Sequence, residues 1–235
     1  MKLADVVQTN FNTLSVMSRF GIKLGFGDKS VDRVCAEYGI NPDFFLEILN
    51  AFHDHSYFPQ KHLQIFSVAE IVEYLRKTHI SYIGESIPYI EQLMEQLVEG
   101  CKNQEEMMLV QLFFNEYKDE LFKHLTWEDE KIFPYALSVE NAFLNGNNVE
   151  QVIEATKKYS MTNFLEDHDD IESKLYDIKT LFVKYLPPLN KQELCVRIIR
   201  EFSLLETDVN DHARIEEKVL GPKVAEMEKA LLQKV

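Results

Sequence analysis

The chain has 235 residues, 46% of them hydrophobic, enough to bury a substantial core as one large domain or a large one with a smaller companion. Its formal net charge of -14, with no basic stripe to offset it, excludes a nucleic-acid partner, whose phosphates need a cationic face. With only 8 glycines and 7 prolines, long helices are favoured over a turn-rich β fold. No run approaches the roughly 18 uninterrupted apolar residues of a membrane span. The N-terminus also lacks a basic region followed by an apolar core and cleavage site, so a cytoplasmic protein is expected. Cys35, Cys101 and Cys195 are odd in number, widely spaced and form no Cys-x-x-Cys pair, which predicts reduced thiols rather than a disulfide framework or thiolate metal site.

In chain order, residues 1–58 read as a small helical N-terminal domain. Its short helices are broken by Gly21, Gly25, Gly27, Gly39 and Pro42, and Ser30 caps the segment that begins at Val31. Residues 59–66 read as a linker. Ser67-x-x-Glu70 is a capping box, and it opens an antiparallel up-down four-helix bundle over 67–235. In the first bundle helix Val68, Val72, Leu75, His79, Tyr82, Ser86, Tyr89 and Leu93 trace one inward stripe at steps of three and four. Cys101 to Asn103 marks the first turn. The second helix, about Gln104 to Phe143, repeats the stripe with Phe114, Tyr117, Leu121, His124 and Glu128. Asn145 to Asn148 and Pro187-Pro188 bracket the third, which carries Phe164, His168, Ile171, Leu175, Ile178 and Phe182. The fourth carries Ile198, Phe202, Leu205, Val209, His212, Glu216 and Val219.

His79, His124, His168 and His212 are spaced 45, 44 and 44 residues apart, enough for one long helix and its loop each time, so the four imidazoles return to one level. Glu128 and Glu216 follow the second and fourth histidines by four residues. A helix turns about 100° per residue, which puts each such pair one turn apart on one face. The segments around them echo each other, with a proline ten residues after the histidine in both, Pro134 and Pro222. A single core histidine is ordinarily a structural residue. Six polar groups converging in an apolar interior are different, because an unpaired buried carboxylate alone costs several kcal/mol unless cations compensate it. Two ions bridged by the two glutamates use every group and leave coordination positions open. Closed tetrahedral zinc fits this donor set less well. The Glu-x-x-His of ferritin-type di-iron bundles is absent at all four histidines. The ligands leave iron and manganese open, and an open redox-capable site favours iron.

The two His-x-x-x-Glu-x-x-x-x-x-Pro segments, with the isolated His79 and His168-Asp169, closely resemble the haemerythrin-like domain. The leading segment Phe20 to Ile40 is similar to the small first domain of the iron-sulfur cluster repair di-iron proteins, the RIC or YtfE/ScdA family. The resemblance implies two iron ions held by His79, His124, His168 and His212, with Glu128 and Glu216 as bridges. It also implies repair of iron-sulfur clusters damaged by nitric oxide or oxidants, or processing of nitric oxide at the irons. The implied partners are a small diatomic or peroxide ligand and iron-sulfur proteins. The sequence does not decide whether nitric oxide or peroxide is turned over. An oxygen- or nitric-oxide-binding or sensing module without turnover is the alternative. The chain departs from the family twice. An adjacent Cys-Cys pair is replaced by Leu24-Gly25-Phe26-Gly27, against a thiol role for the leading domain. The His-x-x-x-His of oxygen carriers has Glu172 in second place, which argues against oxygen carriage and suits a solvated or outer carboxylate. His53, His55 and His62 read as surface residues, Tyr82 and Trp127 as packing beside the site, and Asp167, Asp169 and Asp211 as exposed or capping charges.

Overall fold

The computed structural model describes residues 1–53, 57–99, 104–167, 172–185 and 191–233. His168, Asp169, His55, Cys101 to Asn103 and Pro187-Pro188, with the side chains of Asp167 and Glu172, lie outside the described residues. The fold is all-α, and among the described residues the only β pairing is an isolated bridge between Lys2 and Ser30. No described helix is long and apolar enough to cross a membrane.

Five short helices lead: α1 Leu3–Thr9, α2 Thr13–Arg19, α3 Val31–Tyr38, α4 Pro42–His53 and α5 Gln60–Leu63. Ser30 caps α3 by accepting the Arg33 amide at 3.3 Å, and Gly39 ends it with a φ of 67°, a left-handed conformation that costs glycine little. The segment between α4 and the bundle contains α5, and its Leu63 and Phe66 are buried. His53 and His62 are exposed, and His62 bonds Glu47.

The first bundle helix begins with the Ser67 and Glu70 capping box and runs through Val68–Ser81, Tyr82–Ser86 and Ile87–Val98. The second spans Gln104–Trp127, Glu128–Ile132 and Phe133–Asn145 without a break. A separate helix, Val149–Lys158, follows the Asn145 to Asn148 break that was expected to open the third helix directly. The third is described over Met161–Asp167, Glu172–Thr180 and Leu181–Tyr185, and the fourth over Gln192–Ile215, Glu216–Leu220 and Gly221–Leu232. The start of the first helix packs on the end of the second, and the start of the third on the end of the fourth, so neighbours run antiparallel.

Three of these helices contain a proline that ought to break them, because it lacks an amide hydrogen and its ring crowds the carbonyl four residues back. Each instead widens by one residue just before the proline. The amides of Ile87, Phe133 and Gly221 bond the carbonyls of Tyr82, Glu128 and Glu216, five residues back, ahead of Pro88, Pro134 and Pro222. Such π-turns insert one residue and rotate everything beyond them. This corrects the expected stripe of the first helix: Val68, Val72, Leu75, His79 and Tyr82 are buried, but past the turn Tyr89 is exposed and Ile90 takes the inward place. Gly221 closes the last π-turn. A Cβ there would lie 2.5 Å from Leu165 Cδ2, so its bare backbone sets how closely the third and fourth helices approach.

The core is in two parts. One cluster contains Val72 and Leu75, Phe133 and Val139, Phe164, and Val219 and Val224, together with Leu3, Val16, Met17, Phe45 and Ile48 of the leading helices. The other contains Tyr82 and Leu93, Phe114 and Leu125, Leu175 and Ile178, and Phe202 and Val209. Between them lies a polar layer. It crosses the first helix at His79, the second at Glu128 and the fourth at His212.

Candidate metal centre

Each residue of this layer is placed by the helix that carries it. One donor atom from each of His79, Glu128, His212 and Glu216 lies within 4.8 Å of the others, and all four residues are buried. The two glutamates are 0% exposed, a position a carboxylate occupies only with strong compensation. His79 Nε2 stands 3.4 Å from Glu128 Oε2, His124 Nε2 3.0 Å from Glu128 Oε1, and His212 Nε2 3.2 Å from Glu216 Oε1. His124 belongs to the layer but is partly open to solvent, and its ring lies 6.5 Å from that of Trp127, which also contacts Phe164. The structure thus brings together His79, His124, Glu128, His212 and Glu216. His168, expected here too, falls outside the described residues, between Phe164 of one cluster and Leu175 of the other in the chain.

The donor set fits a cation on a direct observation. His79 Nε2 and His212 Nε2 face each other at 3.1 Å, and two imidazole lone pairs at that distance need a proton or a metal between them. His79 Nδ1 is already directed at Asp129 Oδ2, 3.1 Å away. The arginines at this level are committed elsewhere: Arg76 to Asp129, Arg214 to Asp211 and Arg19 to Asp208. Burial alone would lower the His79 imidazole, but hydrogen bonds to Asp129 and Glu128, with the charges of Glu128 and Glu216, lift it to about 9. In the metal-free chain a proton therefore stands where a cation would. A metal must displace that proton, so apparent affinity should rise by about tenfold per pH unit up to pH 9 and fall in acid. Titration of metal binding between pH 6 and 9 checks this, and a flat profile would contradict it.

The sequence profile of the Hemerythrin HHE cation binding domain matches residues 88–224, more than half of the chain. The chain belongs to this family. The match takes in His124, Glu128, His168, His212 and Glu216 and begins nine residues after His79, the member of the layer supplied from outside it. Over 225 residues, 93% of this chain and 95% of its counterpart, this haemerythrin-family chain is 20% identical to the iron-sulfur cluster repair protein ScdA of Staphylococcus haemolyticus (strain JCSC1435).

Three residues around the layer were not legible as neighbours of the site. Asp129 follows Glu128, and being about 100° around the helix from it, points along the seam toward the first helix, where it meets His79. Asp211, expected to be an exposed or capping charge, is buried and accepts from Arg214 at 2.9 Å. Arg19 comes from α2. It is buried, bonds Asp208 and the Tyr74 hydroxyl, and lies 5.7 Å from the centre of the Tyr82 ring, which stands steeply inclined to the His212 ring with 5.9 Å between their centres. Burial, with the charge of Asp208, holds the Tyr82 phenol well above its ordinary pKa, so it stays protonated beside the site.

Proposed function

We propose that this haemerythrin-family protein holds two iron ions and serves in repairing iron-sulfur clusters damaged by nitric oxide or oxidants. His79, His124, His168 and His212 would supply the nitrogens, and Glu128 and Glu216 the bridging carboxylates. The observation that carries the reading is the buried layer of imidazoles and carboxylates dividing an otherwise apolar core. Support for repair comes from the similarity to a cluster-repair protein along nearly the whole chain. Bound iron would supply redox chemistry and open positions for a diatomic or peroxide ligand. The protein's part is to hold it: neutral imidazole nitrogens and carboxylates meet at one level, and two apolar clusters keep water from the layer on either side. Iron-sulfur proteins would be the macromolecular partners, and the cytoplasm the place of action. Iron-loaded protein mixed anaerobically with a cluster-deficient iron-sulfur enzyme should restore its activity. Failure with fully loaded protein would count against repair.

A second reading, a nitric-oxide- or oxygen-binding module without turnover, draws on a different observation. Arg19 of the leading helices lies against Tyr82 and thus one ring from His212, a route by which occupancy could reach the N-terminal unit. Nitric oxide binding that changes proteolysis within residues 1–58, with no gas consumed, would favour it. Consumption of nitric oxide or peroxide under reducing conditions would favour an enzyme instead.

A further inference from the structure

Resting on the reading that iron occupies the polar layer, we infer that Trp127 is where oxidising equivalents leave it. When peroxide demands more electrons than the bound iron supplies, the indole gives one up through His124.

Among the described residues three rings stand against the layer histidines: Phe133 on His79, Tyr82 on His212 and Trp127 beside His124. Phenyl is hard to oxidise, which leaves the phenol and the indole. Their surroundings are opposite. Trp127 lies three residues after His124 on one helix face, with ring centres 6.5 Å apart. His124 is the described member of the layer nearest solvent: its side chain is 12% exposed, against 4% or less for His79, His212, Glu128 and Glu216. Trp127 continues outward from it. The indole packs on Phe164, yet the residue is 36% exposed and borders a shallow surface depression with Lys123, Thr126 and Lys131. An oxidised indole there sheds its N–H proton to water. Tyr82 is as near to a layer histidine but sealed. A phenol must give up its proton with its electron, and the Tyr82 hydroxyl is buried with no hydrogen-bond partner among the described residues to take it. Retaining the proton would leave a cation inside an apolar cluster, which burial strongly disfavours. Of the two oxidisable rings, Trp127 alone has both contact with a layer imidazole and an exit for the proton.

The balance closes on named species. One ferrous ion, one indole, one peroxide and one proton become one ferric ion, one neutral indolyl radical and two waters. Iron and indole each lose one electron, the oxygen–oxygen bond breaks, and the indole N–H supplies the second proton by way of solvent. No layer histidine is consumed.

The test loads the chain anaerobically with ferrous iron and adds one peroxide per bound iron, so that iron covers half of the electrons required. Trp127 is the chain's single tryptophan, so deuterating the indole labels it alone. Wild type frozen at once should show an organic radical whose electron paramagnetic resonance signal narrows on that deuteration, and a nitroso spin trap should be found on Trp127 by mass spectrometry. Trp127→Phe, which keeps a ring against Phe164, should lose both signals, and Tyr82→Phe should keep them. Metal-free protein treated alike should show neither. The deuterated wild type decides the matter without any variant. Wild type that binds no iron sinks the iron reading itself. Iron-loaded protein that forms no radical, a trap found elsewhere than on Trp127, or the same adduct without iron leaves that reading standing and overturns this one.

Discussion

Glu128→Gln is expected to abolish tight metal binding and, above pH 9, to make the metal-free protein more stable. Glu128 is wholly buried between His79 and His124, and a carboxylate at that depth is tolerated because cations compensate it. Glutamine keeps the volume but removes the charge; above pH 9, where His79 has lost the proton that faces Glu128, the metal-free chain thereby loses a desolvation cost and gains on the order of 1 kcal/mol. The same change removes an anionic donor shared by two histidines. Wild type with iron at about a hundredfold over its Kd should gain about 2.7 kcal/mol from binding. At roughly 2–4 °C per kcal/mol for a chain of this size, that raises its melting temperature by about 5–10 °C. The variant should melt higher than wild type in chelator above pH 9 and show little rise with iron at neutral pH. Elemental analysis should find less than one ion per chain. A variant that binds iron and is stabilised by it like wild type would remove Glu128 from the site.

Arg19→Ala should cost about 3 kcal/mol, near the lower end for breaking a buried ion pair because Asp208 keeps some contact with solvent. That corresponds to a fall of about 6–12 °C in melting temperature. The loss has two sources. Asp208 is left partly buried without its guanidinium, and the packing of Arg19 over Phe52 and Tyr82 goes with it. Replacing both partners, as Arg19→Met with Asp208→Leu, should recover most of the stability, because two apolar side chains in one place carry no desolvation cost. Thermal melts of the single and double variants form the test. If the single variant melts like wild type, Arg19 does not fasten the leading helices to the fourth bundle helix. If the double variant is no better than the single, the ion pair is not the source of the loss.

Relations along one helix were readable directly from the chain. His124 with Glu128, and His212 with Glu216, are fixed by the turn angle, and the even spacing of the histidines implied one level before any coordinates. The capping box at Ser67 and the cap at Ser30 are also local, and both are present. Tyr89 shows where this stops. Its inward assignment assumed an unbroken α-helical period through Pro88, and the π-turn that accommodates the proline moved every later residue around the axis. Asp129 shows a second limit. On its own helix it is turned about 100° from Glu128, but the neighbouring helix brings His79 to meet it.

The sequence by itself therefore determined an all-α bundle, the depth of its polar layer and the residue types that fill it, because these follow from periodicity within single helices and from the cost of burying charge. Tertiary structure alone decided which donors face one another, that Asp129 backs His79, and that Arg19 reaches the fourth helix from far away in the chain. Those contacts depend on how helices are rotated and seated against one another, and that is settled by packing between segments no local pattern connects.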